Sequence, residues 1–139
     1  MALHIREHEQ DGIVILALKG RLVAGDEVET LRMRVRAECQ AGHTQIVLDC
    51  AGLDYIDSSG LGTLVHAHST LAQRDGGALR LLHLNERNLE LMVVTKLSTV
   101  FELFDDETEA VNSFFPERRV RKFDILNFVS QQRKKKAEA

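Results

Sequence analysis

Asp54-Tyr55-Ile56-Asp57-Ser58-Ser59-Gly60-Leu61-Gly62 decides how this chain is read: a strand stops ahead of it, a hydroxyl pair sits inside it and a helix starts within it. Upstream, Gln45-Ile46-Val47-Leu48-Asp49-Cys50 is a short apolar run rich in β-branched residues. Its brevity and its end at Ala51-Gly52 predict a buried central strand. Downstream, Leu61, Leu64, Val65, His68, Leu71 and Ala72 recur at three- and four-residue steps, which predicts an amphipathic helix reaching Arg74 and stopped by Gly76-Gly77. Ser58 and Ser59 then lie at the helix mouth, where unpaired backbone N–H groups and the positive end of the macrodipole favour a negative group such as a phosphate. A serine there can cap the helix or be modified. Gly60 and Gly62 leave the first turn without bulky side chains, so another protein's backbone is expected to come close. From spacing alone a plainer reading stands beside this one, a helix cap followed by a glycine-containing turn.

The wording of Asp57-Ser58-Ser59-Gly60-Leu61-Gly62, preceded by an apolar strand and Tyr55-Ile56, closely resembles the phosphorylation-site signature of the bacterial anti-sigma factor antagonists, the founding group of STAS domains. In that family the serine directly after the aspartate is the phosphoacceptor, which by resemblance is Ser58. The resemblance covers roughly Leu3 to Phe115. It is supported by Gly76-Gly77 before a strand and by Val94-Thr95-Lys96-Leu97 followed by Val100-Phe101. One departure bears on which partner kinase is recognised: many antagonists carry an acidic residue at the end of Gly-x-Leu-x, and here Val23 stands there with Arg21 nearby.

The resemblance implies a mechanism. An unphosphorylated antagonist binds an anti-sigma factor serine kinase and frees a sigma factor; phosphorylation of Ser58 adds ~−1.5 to −2 charges at the contact surface and breaks the complex. Asp57 orients the turn or the partner, and Ser59, Gly60, Leu61 and Gly62 shape the docking surface. The chain is then substrate and switch rather than catalyst and holds no cofactor. ATP and magnesium belong to the kinase, and a protein phosphatase restores the serine.

A length of 139 residues fits one domain with an appendage, and at this size folding hides about two-thirds of the unfolded surface. Charged residues at 28% and apolar ones at 44% are those of a soluble globular protein. No apolar stretch approaches the roughly 20 residues that span a bilayer. Met1-Ala2-Leu3-His4-Ile5-Arg6 lacks the pattern of a signal peptide. Cys39 and Cys50 lack a metal or redox spacing and read as packed thiols, and the cytoplasm is the expected location. Eight basic and three acidic residues from Glu117 to Ala139 put +5 there, so with −3 overall residues 1–116 carry −8. An acidic body argues against direct nucleic-acid binding.

In chain order, Leu3 to His8 alternates, Asp11-Gly12 marks a turn and Ile13 to Leu18 is strongly apolar, which predicts an antiparallel hairpin. Gly20-Arg21-Leu22-Val23 continues or re-enters the sheet after a kink. Val28, Leu31, Val35 and Cys39 mark a helix between Asp26 and Ala41, with Arg32, Arg34 and Arg36 elsewhere on its surface. Ala78 to Leu84 is a strand, and Asn85 caps a helix that buries Leu89, Met92, Val93 and Leu97. A short strand is expected near Val100 to Phe104, then a helix carrying Ala110, Val111, Phe114 and Phe115. The sum is an α/β chain with a mixed sheet of four to five strands packed by about four helices, in agreement with the STAS fold. The domain is expected over 1–116. Beyond it, 117–139 forms a basic, partly amphipathic extension, expected to dock Phe123, Ile125, Leu126 and Phe128 on the domain or on a second copy as a homodimer. Arg133-Lys134-Lys135-Lys136 reads as a solvated end, or as a contact to an acidic partner or membrane surface.

Enzymatic readings are weak. Ile56 and Asp57 occupy the place where a G-x-S-x-G elbow needs glycine, and the run after Gly60 lacks the last glycine of a dinucleotide loop. His66 and His68, two apart, point to different sides of a helix, and nothing pairs Asp54 with Asp57 as acid and base. The better rival is a constitutive STAS adaptor, in a stress-signalling complex or beside an ABC transporter, with no working phosphoswitch.

Overall fold

A computed structural model describes residues 2–121 and 123–138. The hairpin forms as strands β1 (His4–Gln10) and β2 (Ile13–Leu22), paired antiparallel across a turn in which Asp11 and Gly12 both take positive φ. Helix α1 (Asp26–Gln40) leads to β3 (Gln45–Ile56), helix α2 (Ser58–Ala72) to β4 (Ala78–Leu82), and helix α3 (Glu86–Val94) with a short 3₁₀ turn to β5 (Glu102–Phe104). The strands lie in the order β1-β2-β3-β4-β5, with every pair after the first parallel. A parallel neighbour requires a crossover, and the three helices supply it.

Strand alternation divides the core. Val14, Leu16 and Leu18 of β2, with Ile46, Leu48 and Cys50 of β3 and Leu79 and Leu81 of β4, join the cluster that holds Leu31 and Val35 of α1, Leu64 and Leu71 of α2, and Leu89 and Met92 of α3. The intervening Ile13, Ile15, Val47 and Leu82 turn to the opposite face. There helix α4 (Glu107–Asn112) covers them with Ala110 and Val111, assisted by Phe114 and Phe115. Burial pushes the Cys50 thiol up to about 12, as an apolar site disfavours the thiolate. Cys39 is buried too, and both cysteines are free.

The central strand is longer than its sequence predicts. It does not stop at Ala51-Gly52 but continues to Ile56, because β2 runs beside it all the way, pairing Lys19 with Gly52 and Leu22 with Ile56. Gly52 is a point of close approach rather than a stop, since a Cβ there would lie 2.8 Å from the Leu18 carbonyl oxygen. The kink expected at Gly20 is a pair of register shifts, between Ala17 and Lys19 and between Gly20 and Arg21.

Arg34, on α1, reaches Glu7 of β1 at 2.9 Å and Glu38 at 3.4 Å, and Glu38 in turn lies 2.7 Å from His43 Nδ1. The bond to Glu38 raises His43 above its ordinary value.

The C-terminal extension lies on the body. Arg118 bonds Asp11 at 2.8 Å and Asn112 at 3.0 Å, and the Arg121 amide donates to Glu109 at 2.6 Å. Helix α5 (Ile125–Glu138) then buries Ile125 and Val129 in the main core, with Phe123 and Phe128 packed against it. Leu126, expected to dock with them, instead faces outward at 63% exposure, because Ile125 and Val129, four apart, already define the docked side of the helix.

Candidate functional site

The serine turn is placed by two strands and a cap. β3 delivers Ile56 to the core, and Asp57 takes extended backbone (φ −93°, ψ −175°) as the N-cap of α2. One carboxylate oxygen, Oδ1, accepts the Gly60 amide at 2.8 Å; the other, Oδ2, accepts the Ala24 amide at 3.0 Å. The Asp57 amide donates to the Leu22 carbonyl at 3.2 Å. One side chain thus closes the first turn of α2 and ties it to the segment leaving β2, where Val23 and Ala24 lie. The Ala24 and Gly60 amides hold the Asp57 carboxyl below its ordinary value.

The cap is therefore Asp57 and not a serine. Ser58 and Ser59 are the first two residues of α2, both exposed. Among the described residues neither hydroxyl has a hydrogen-bond partner; the Ser59 carbonyl accepts from the Thr63 hydroxyl at 2.9 Å. Gly60 is buried: a Cβ on it would meet the Leu22 carbonyl oxygen inside any allowed contact, and Ile56 Cγ2 at 2.9 Å. Its smoothness serves the packing of α2 on β2. Leu61 packs half-buried against the core, whereas Gly62 is exposed, and a Cβ on it would meet nothing within 4 Å. Of the two glycines, Gly62 is the one that leaves open surface for a visitor.

Asparagines that sequence reasoning did not single out for the site brace it from below. Asn85 caps α3, accepting the Asn88 amide at 2.8 Å, and its Nδ2 donates to the Leu53 and Asp54 carbonyls at 3.3 Å. Buried Asn88 adds a bond to the Leu53 carbonyl at 3.1 Å. The signal was an asparagine beside Leu89, on the side of the helix expected to be apolar. These bonds dock α3 against the last residues of β3. Beside them an open groove of about 910 Å³ runs past Tyr55, Ile56, Leu91 and Val94, with Lys136 of α5 on its border. Arg87 lies 5.6 Å from the centre of the Tyr55 ring.

His66 and His68 are not brought together: His68 stands edge-on to Phe101 with ring centres 5.4 Å apart, and His66 lines a cleft between α1 and α2. Both oxygens of the Asp57 carboxylate accept backbone amides.

Removing the Asp57 carboxylate, as in Asp57→Ala, should cost about 1 kcal/mol from the lost cap, read as a shifted denaturant midpoint. Because the folded carboxyl is depressed, this contribution is present above the unfolded carboxylate value and lost as pH falls through the lower folded one. The stability gap between wild type and Asp57→Ala should therefore narrow in acid.

The arrangement can present two unencumbered hydroxyls, Ser58 and Ser59, on a rigid helix start beside a groove. Comparison with known proteins bears on what kind of protein uses it. The STAS domain model matches residues 4–110. A candidate anti-sigma factor antagonist of Bordetella bronchiseptica, BtrV, is 29% identical over 104 residues, covering 75% of this chain and 88% of that protein. An anti-sigma F factor antagonist of Paenibacillus polymyxa is 27% identical over 112 residues, covering 80% and 94%. Among solved structures, the anti-sigma factor antagonist SpoIIAA in its unphosphorylated form superposes with a TM-score of 0.68 at 21% identity, covering 84% of this chain and 100% of that one. Its phosphorylated form, from Bacillus, gives 0.61 at 21%, covering 79% and 98%. No described helix is long and apolar enough to cross a membrane. With the domain model spanning well over half of its length, this chain belongs to the STAS domain family.

Proposed function

We propose that this protein is an anti-sigma factor antagonist, with Ser58 as the phosphoacceptor of a serine kinase that is also its binding partner. The observation that carries the reading is the division of labour at the turn. Asp57 caps the helix, so the Ser58 and Ser59 hydroxyls are both exposed and free of structural duty, and the place of Ser58 directly after the aspartate supports it as the acceptor. The names of the two sequence relatives support the antagonist role, and a structural neighbour known in unphosphorylated and phosphorylated forms supports a modifiable state of this fold.

The chemistry follows from the geometry. A hydroxyl at the first helical position reaches a kinase site without unfolding the turn. Once phosphorylated it gains ~−1.5 to −2 charges next to the first-turn amides, whose dipole partly offsets them, so the fold tolerates the product. A partner packed over Ser58, Ser59 and Gly62 meets a desolvated dianion beside the Asp57 carboxylate and is released. In this reading ATP and magnesium are brought by the kinase, a phosphatase resets the switch, and the protein works in the cytoplasm without a cofactor of its own.

The test is intact mass after incubation with ATP and candidate serine kinases from the same cell. A phosphate-sized gain is expected for wild type and for Ser59→Ala, and none for Ser58→Ala. In a pull-down the bare protein should retain the kinase and the phosphorylated one should lose it. A gain that persists in Ser58→Ala, or no gain with any kinase that binds, would sink the switch and leave the constitutive adaptor.

A further inference from the structure

On the helical layer, α1 and α2 face each other across a cleft of about 200 Å³. Its rim is basic: Arg32 and Arg36 from α1, His66 from α2, and Arg74 from the turn that follows α2. The floor is apolar, with Val35, Cys39 and Ala67. The spacing explains why the two sets converge. Residues 32, 35, 36 and 39 fall on one stripe of α1, and residues 63, 66, 67 and 70 on one stripe of α2, which ends at Ala72 rather than at Arg74 as its sequence predicts, so that Arg74 joins from the turn beyond it.

The charge is out of keeping with its surroundings. Residues 1–116 carry −8, yet three of their ten basic residues edge this one cleft. Among the described residues no carboxylate lines it. Arg32 has a partner in Glu29 at 3.5 Å, an exposed pair one turn away on its own helix, which screens it weakly. Among the described residues, Arg36 and Arg74 have no carboxylate partner. Guanidinium groups left unpaired around an apolar floor oppose one another until an anion sits between them. Their forked donors suit the oxygens of a phosphate or carboxylate.

We infer that the α1–α2 cleft is a binding site for a small phosphate monoester, the phosphoryl group held by Arg32, Arg36 and Arg74 and its organic part resting on Val35, Cys39 and Ala67. A monoester matches better than a carboxylate because ~−1.5 to −2 charges balance three guanidiniums more closely than −1 does. A cleft of about 200 Å³ suits the organic part of a small metabolite. This inference does not depend on Ser58 being phosphorylated. The cleft does adjoin the same helix start, because Thr63, buried on its wall, is the residue whose hydroxyl holds the Ser59 carbonyl.

Phenyl phosphate is a suitable probe, with phenylacetate and phenol as the monoanionic and neutral comparators, followed by amide shifts in two-dimensional NMR at low salt. Saturable shifts confined to residues 32–40 and 63–74 are expected with phenyl phosphate, weaker ones with phenylacetate and none with phenol. Arg36→Gln with Arg74→Gln should weaken binding about tenfold or more, the loss of at least one charge-assisted contact. Both side chains are exposed, so the unliganded spectrum should stay dispersed, and Arg74→Gln alone provides a milder second variant. Arg133→Gln with Lys134→Gln should bind as wild type. Shifts that rise linearly and spread to the C-terminal lysines, tighter binding of phenylacetate, or affinity unchanged in the cleft variants would each overturn the assignment.

Discussion

Gly60→Ala should destabilise the protein by about 1–3 kcal/mol, while Gly62→Ala, two residues along the same helix, should stabilise it by about 0.5–1 kcal/mol. Helix propensity alone predicts a gain at both positions, since glycine is worse than alanine inside a helix. Packing reverses the sign at one of them. A methyl on Gly60 runs into the backbone carbonyl of Leu22 and into Ile56 Cγ2 at 2.9 Å. Neither can yield cheaply: Leu22 is fully buried at the end of β2, and its carbonyl also accepts the Asp57 amide. The helix start must lift, which strains the Ala24 and Gly60 bonds that fix Asp57. Gly62 has no neighbour to offend. Urea midpoints of the two variants check the signs, and equal shifts would contradict the packing argument. The pair also separates fold from docking. If a partner packs over the exposed face of the turn, Gly62→Ala should weaken that complex in a protein that is itself more stable.

How far the sequence could be read is clear from these residues. Asp57-Ser58-Ser59-Gly60-Leu61-Gly62 announced a strand-to-helix turn, because capping and periodicity are local, and its resemblance to a family signature carried the fold. The division of roles inside the turn was not local. That the second Asp57 oxygen is tied down, and that Gly60 faces inward, depends on the Leu22–Ala24 segment lying alongside, 33 residues away from Asp57 for the Ala24 bond. Gly52 misled for the same reason. In isolation it looks like a strand end, yet its neighbour in the parallel pair keeps it in the sheet. Arg32 and Arg36 read as solvated surface on α1 because nothing in one helix shows that a second basic and apolar stripe faces it. Helix α5 was legible as amphipathic, but amphipathicity names a buried side without naming what buries it.

Removing residues 117–139 should lower the melting temperature by about 10 °C without changing the oligomeric state in solution. Burial of Ile125 and Val129 is worth about 1.5–3 kcal/mol each, and the lower bound of about 3 kcal/mol for the pair, at roughly 4 °C per kcal/mol, sets the expected size. The ion pairs add little. Arg133 to Glu90 at 3.3 Å and Lys136 to Glu86 at 3.1 Å join side chains that are 39–68% exposed. Charge reversal at Arg133 should therefore leave stability nearly unchanged, whereas Val129→Asp places a carboxylate where the docked helix has no partner for it and should release α5 from α3. Hydrogen exchange localises the effect: in Val129→Asp, protection should vanish from residues 125–138 and persist in β2 and β3. The competing arrangement, in which the extension joins two copies, predicts the opposite set. Full-length protein would then run as a dimer, truncation would leave a monomer, and exposed Leu126 would matter more than Val129. Packing of Ile125 and Val129 into the chain's own core favours the first set, and sedimentation of the truncated and full-length proteins decides between them.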